Sequence, residues 1–479
     1  MGLSETLAEY FDVAAHGSDV RTELLAGLTT FLTMSYIVVV NPAILSAAIS
    51  IEGVGDGRLR AMLAVVTIIS AAVATLVMAL YANRPFAQAP GLGLNAFFAF
   101  TVVLTLGVPW QTALAAVVVE GLLFIALTAV GAREYVIRLF PEPVKLAVGS
   151  GIGLFLAIIG LESMRVVAGD AATFVTFSPV FAKDPVAIIS VLGLFLTFGL
   201  YARGVRGSIV IGILLTAVAG YAAAALGFSA FDPANAPPGV NLATDIYLTG
   251  STQTYSLAAY DITPLAGAFI DGLANVDPAT FLLVMFTFFF VDFFDTAGTL
   301  VGVGQVAGFL DEEGDLPDID KPLMADAIGT TVGGMLGTST VTTYIESATG
   351  VEEGGRTGLT ALAVAGLFVV SLAFVPLAAA VPEYASHLAL VVIGIIMLGN
   401  AVEVDWDDLT HAIPAGMTIL IMPFTFSIAY GIAAGIVSYP VVKVAAGEAD
   451  DVHVGQWALA LAFVAYFFVR TSGLLTGAL

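Results

Sequence analysis

Residues 286–305 read FTFFFVDFFDTAGTLVGVGQ and place Asp292 and Asp295 in the middle of an apolar run that begins near Phe281, with no basic residue nearby. Three residues apart on a helix, the two acids share one face. An acid at the centre of a bilayer helix costs about 2.5–3.5 kcal/mol on insertion scales, so a pair of them marks a functional site.

The surrounding chain has the same solvent. Of its 479 residues 59% are hydrophobic and 11% charged, and apolar stretches near the length of a bilayer helix recur throughout. The expected fold class is therefore an all-α polytopic membrane protein. Apolar length, Gly/Pro breaks and polar connections place spans at 22–45, 61–81, 91–106, 112–131, 143–162, 185–202 and 207–227, and again at 279–305, 323–336, 338–352, 357–378, 386–401, 413–437 and 455–471. Seven and seven make fourteen. Between the sets, residues 228–278 carry Pro233, Pro237 and Pro238 but no Lys or Arg, and read as an external loop in which 264–273 is either an interfacial helix or plain loop. The first apolar run, 24–49, is too long for a signal-peptide core, so no cleaved signal is expected.

With the N-terminus inside, Arg21, Arg84, Arg133, Arg138, Lys145, Arg203, Arg206, Lys321, Arg356 and Arg470 fall on the cytoplasmic side, against Arg58, Arg60, Arg165, Lys183 and Lys443 outside. This orientation follows the positive-inside rule and puts both termini in the cytoplasm. An odd number of spans per half orients the halves oppositely, as in an inverted repeat. The net charge of −23 reflects either adaptation to high salt or simply acidic connections such as 311–320, and it excludes nucleic acid as a partner. With no cysteine, disulfides, thiolate metal sites and cysteine nucleophiles are excluded.

The third span of each half is broken. In the first, 89–95 (APGLGLN) leads into the short apolar 96–106; in the second, 337–343 (GTSTVTT) leads into 344–350 (YIESATG). Both read as an extended segment followed by a half-helix, with Gly93, Leu94 and Ile345 providing backbone at the half-helix starts. Broken helices at corresponding positions of two repeats point to a transporter's binding site, because their free N–H groups and positive dipole ends meet polar ligand atoms near the midplane. Two ordinary Gly-kinked spans are the plainer reading.

Asp292, Asp295 and Glu346 are acids in otherwise apolar spans. Carboxyl groups gathered away from water exchange protons readily, so Asp295 or Asp292 is the candidate proton-coupling group. An ionised carboxylate only accepts hydrogen bonds and suits the N–H groups of a planar heterocycle, while Asn95 both donates and accepts. Asn95, Asp292 and Glu346, with Thr343 and Tyr344 beside them, are the substrate-binding candidates. Each also has a structural reading: Asp292 bonding a neighbouring helix, Asn95 or Glu346 capping its own half-helix. Glu120 and Asp326 lie in apolar spans without a second polar group at helical spacing, which favours structural roles. One or two of Phe97, Phe98, Phe288, Phe289, Phe290, Phe293 and Phe294 are expected to stack on a flat ring. His16, His387, His411 and His453 are not central to any span, so neither a histidine relay nor a metal cluster is expected, and no catalytic residue is assigned.

The segments RTELLAGLTTFLTMSYIVVVNPAIL (21–45), FAQAPGLGLNAFFAFTVV (86–103), VDFFDTAGTLVGV (291–303), GTSTVTTYIESATGVEEGGRTGLTAL (337–362) and DWDDLTHAIPAGMTILIMPFTFSIAYGIAAGI (405–436) resemble the AzgA-type purine permeases, nearly end to end. The Gln-His pair and Asn-x-Gly signature of the related uracil and xanthine branch are not apparent. The resemblance implies fourteen spans in two inverted seven-span repeats, with a core domain (21–131 and 279–378) and a gate domain (143–227 and 386–471), preceded by a cytoplasmic segment 1–20. It further implies a cytoplasmic-membrane symporter of adenine, guanine and hypoxanthine, a homodimer without cofactor. Asn95, Asp292 and Glu346 would contact the purine or be essential to its transport, and Asp295 would support binding or coupling. A proton is the expected coupling ion; the acidic, Lys-poor loops keep sodium open.

Two other classes share part of this pattern. An intramembrane aspartyl protease also needs buried acids, but its two aspartates should face each other from different helices, and the superficial motif Gly53-Val54-Gly55-Asp56 sits in a polar loop beside Arg58. An anion transporter or channel of the same architecture would use the half-helix dipoles, and acids beside the site argue against it.

Overall fold

The computed structural model describes residues 3–131, 140–244, 246–250, 257–274, 276, 278–311 and 316–471. Arg133 and Arg138 of the orientation count lie outside the described residues, as do the side chains of Phe294 and Arg470.

Among the described residues nine helices are long and apolar enough to cross a membrane, and Leu92–Thr105 and Leu409–Thr425 are shorter apolar helices. The first span starts on Asp19, whose carboxylate accepts hydrogen bonds from the N–H groups of Arg21 and Thr22. It runs over Val20–Met34, breaks at Ser35 and Tyr36, and resumes as Ile37–Ser46 with Pro42 inside. That break turns Tyr36 inward.

The two broken spans have the expected form. Gln88–Pro90 is a strand that leads into the Leu92–Ala96 helix, which continues as a π-helix over Phe97–Thr105. Val341–Thr343 is a strand that leads into Ser347–Glu352. The strands pair with each other antiparallel, Gln88 opposite Thr343, Ala89 opposite Thr342 and Pro90 opposite Val341. Backbone that leaves a helix in apolar surroundings must still satisfy its N–H and C=O groups, and here each broken segment supplies the other's partners. Gly91 N–H donates to Thr340 O at 3.0 Å and Tyr344 N–H to Ala87 O at 3.0 Å, extending the pairing. Gly91 is required by proximity, since a Cβ there would lie 2.5 Å from Thr342 Cγ2.

The helices Trp110–Ala129 and Asp320–Leu336 flank this pair. They meet at Gly121, where a Cβ would sit 2.5 Å from Thr331 Oγ1 and 2.8 Å from its backbone nitrogen. We therefore expect Gly121→Val to destabilise the protein by about 1–3 kcal/mol. A lower Tm and a reduced monodisperse yield in detergent would show it; an unchanged Tm would mean that these helices separate without cost.

The structure corrects the span expected at 413–437. Two helices occupy this region, Leu409–Thr425 and Ile428–Ala446. Phe426 adopts a left-handed conformation at φ 49°, and the Ser427 side chain then caps the second helix by accepting from Tyr430 N–H. No glycine marks the break, which is why apolar length alone runs through it. Within 264–273 only the end is helical, as part of Phe269–Ala274. The segment after Ser163 is also more ordered than a loop. Val167–Asp170 pairs with Phe174–Phe177 on one side and with Val240–Asn241 on the other, beside a buried Arg165.

The chain divides into two compact units, one of Met1–Ala129 with Ile158–Val392 and one of Val130–Ala157 with Ile393–Leu479. Both strands, both half-helices and every acid discussed below belong to the first.

Candidate functional site

The paired strands and the Pro278–Ala307 helix bring Asp292, Asp295 and Glu346 into one region, at two depths. Asp295 and Glu346 are half-buried, whereas Asp292 has no exposed surface. Glu346 precedes the Ser347–Glu352 helix but does not cap it through its side chain. Instead Glu346 Oε1 accepts a hydrogen bond of 2.5 Å from the Tyr36 hydroxyl. Asp295 feels the Glu346 charge and is hydrogen-bonded to Thr342.

Tyr344 donates from its hydroxyl to Pro90 O at 2.6 Å, and its ring lies 6.4 Å from that of Tyr36. Ile345, next to it, is half exposed. The Asn95 side chain joins the two broken segments. Its Nδ2 donates to Pro90 O at 3.3 Å and its Oδ1 accepts from the Ser339 hydroxyl. Asn95 does not cap its helix, a position held by Gly91. Thr343 Oγ1 accepts from Gln88 Nε2 at 3.2 Å, a bond between opposed strand residues. On the first half-helix the earliest intrahelical bond is Asn95 N–H to Gly91 O at 2.8 Å, so the N–H groups of Leu92, Gly93 and Leu94 have no acceptor within that helix.

Asp292 lies deeper, among groups from its own helix and from two others. Its Oδ1 accepts from Thr296 at 3.4 Å, and the Glu120 and Asp326 carboxyl groups approach it within hydrogen-bonding reach. Glu120 Oε2 accepts from Thr340 Oγ1 at 3.2 Å, and Asp326 Oδ1 from Gln88 Nε2 at 3.2 Å. The three acids come from three helices and are fully buried.

The phenylalanines mostly pack on one another. Phe288 makes an edge contact with Phe97 at 4.8 Å, Phe124 meets Phe289 at 5.7 Å and Phe293 at 5.8 Å, and Phe286 meets Phe290 at 4.2 Å. The aromatic side chains bonded into the site are Tyr36 and Tyr344. Sequence reasoning missed Tyr36, Gln88, Thr296, Ser339, Thr340 and Thr342. The one local signal was the density of Thr and Ser across 338–343, which was read as extended backbone and not as a hydroxyl lining.

Comparison with known proteins agrees with this architecture. A model of the Permease family (Xan_ur_permease) matches residues 21–434. The adenine permease AdeP of Escherichia coli is 37% identical over 458 residues, covering 96% of this chain and 95% of that protein. The guanine/hypoxanthine permease PbuO of Bacillus subtilis is 38% identical over 466 residues, covering 96% and 99%. Among solved structures, the transmembrane domain of a cyanobacterium bicarbonate transporter, BicA, superimposes with a TM-score of 0.55 at 15% identity, covering 87% of this chain and 97% of that one. At that identity the likeness is one of fold.

Proposed function

Since this chain belongs to the Permease family, and is thus a multi-pass membrane transporter and not an enzyme, we propose that it imports purine nucleobases across the cytoplasmic membrane by symport with a cation. Adenine, guanine and hypoxanthine are the substrates, transport proceeds by alternating access, and the coupling ion is a proton. The observation that carries this reading is the half-buried acid pair Asp295 and Glu346 set against two strand-to-half-helix junctions. A purine presents N–H donors along one edge and ring acceptors along another. Glu346, steadied by Tyr36, accepts from the donor edge, and the N–H groups of Gly93 and Leu94 suit the acceptors. Tyr344 and Tyr36 supply flat faces beside the ring.

Uptake of radiolabelled hypoxanthine, adenine, guanine, xanthine and uracil into proteoliposomes, under a pH gradient and a sodium gradient imposed separately, tests this. We expect the three purines to accumulate under the pH gradient and uracil not to. No accumulation of any base under either gradient would overturn the reading.

A further inference from the structure

The acids in the spans are not used alike in the reading above, which gives the deeper group no role. Glu120, Asp292 and Asp326 have no exposed surface, and each keeps one oxygen without a donor: Glu120 Oε1, Asp292 Oδ2 and Asp326 Oδ2. Asp292 lies within hydrogen-bonding reach of both other carboxyl groups. A carboxylate has only acceptors, so two such oxygens lie together in a dry interior only when something positive is held between them.

Among the described residues no side chain provides that charge. Among the described residues no salt bridge reaches any of the three. The sequence has no Lys, Arg or His between Arg84 and Arg133, between Arg206 and Lys321, or between Lys321 and Arg356, so the helices carrying the three acids contribute no cation at their depth. The other groups facing the cluster are the Gln88 amide, the hydroxyls of Thr296 and Thr340, and the Asp295 carboxyl, behind which stands Glu346. Among the described residues no three acids or histidines are spaced to hold a metal ion, which makes a proton the fitting occupant.

We propose that Glu120, Asp292 and Asp326 form the transporter's proton site, separate from the half-buried pair Asp295 and Glu346 and joined to it through the crossed strands. The inference rests on the symport reading above. The join is specific. Gln88 of one strand donates to both Asp326 and Thr343, and Thr342 of the other strand bonds Thr296, which itself donates to Asp292. A proton taken up by a carboxylate of the cluster on one side of the membrane is released on the other, which restores the carboxylate, and the strands that carry the purine site respond to that change of charge.

The test uses the full chain in proteoliposomes. Glu120→Gln and Asp326→Asn keep size and hydrogen-bonding capacity but remove the exchangeable proton. Accumulation of hypoxanthine on a pH gradient should fall by about 5- to 150-fold, the usual size of a coupling between sites. Counterflow against hypoxanthine trapped inside at equal pH, which needs binding and movement without net proton transfer, should survive. As a second measurement, hypoxanthine added to wild type in weakly buffered detergent should change the pH, and added to either variant should not. Variants that still accumulate on the pH gradient would overturn the proposal, as would variants that lose counterflow together with accumulation, since the cluster would then be structural. A wild type driven by sodium alone would overturn the proton as its occupant. A wild type that accumulates no base under any gradient would instead fail the symport reading, and the cluster's role with it.

Discussion

Replacing Glu346 by Gln is expected to weaken hypoxanthine binding by about 10- to 150-fold, the equivalent of one charge-assisted hydrogen bond of about 1.5–3 kcal/mol. The amide still accepts from the Tyr36 hydroxyl through its oxygen, so the side chain keeps its position while one acceptor for the purine becomes a donor. Tyr36→Phe leaves the carboxylate in place and removes only its anchor, and should cost about fivefold, near 1 kcal/mol. Calorimetric titration of the detergent-solubilised variants separates these cases. Glu346→Gln binding hypoxanthine within the error of wild type would remove Glu346 from the site, whatever its effect on transport.

The second large effect concerns folding. Arg165, 1% exposed, donates to Asp184 Oδ2 at 3.1 Å, to Phe231 O at 2.7 Å and to Ala243 O at 2.9 and 3.1 Å. Arg165→Met leaves a fully buried Asp184 carboxylate without its counter-charge, and breaking a buried pair from one side costs about 3–5 kcal/mol. Thermal unfolding in detergent should show a marked fall in Tm. The double variant Arg165→Met with Asp184→Asn should recover part of it, because no charge is then stranded. A double variant no more stable than the single one would place the loss in the three carbonyl contacts instead of in the ion pair.

Much of the architecture was legible before the structure. Apolar length fixed the class, and the Gly/Pro-rich 89–95 and Thr-rich 337–343 announced the two broken spans, because Pro, Gly and runs of Thr interrupt or disfavour a helix in an apolar run. Asp292, Asp295 and Glu346 were conspicuous for the same reason. What the sequence does not display is which acids meet. Glu120 and Asp326 each stand alone on their helices, and single acids at unrelated positions read as structural; their approach to Asp292 is a product of three-helix packing. Nor does helical spacing place Asp292 and Asp295 at the same depth, since three residues along a helix stop about 60° short of a full turn and differ by about 4.5 Å in height. The break at Phe426 was hidden by its chemistry, an aromatic residue in a conformation usually taken by glycine.

The strand pair also governs the order in which the protein is assembled. Gln88 and Thr343, opposite each other in the finished pair, are separated by more than half of the chain. At a synthesis rate of about 5–20 residues per second, Gln88–Pro90 enters the bilayer on the order of 10–50 s before its partner exists. During that interval its backbone must be kept by water, lipid headgroups or an insertion machine. The first half of this protein therefore cannot mature ahead of the second, and truncation before Val341 should yield a chain recognised by quality control as unfinished even though its long helices have already crossed.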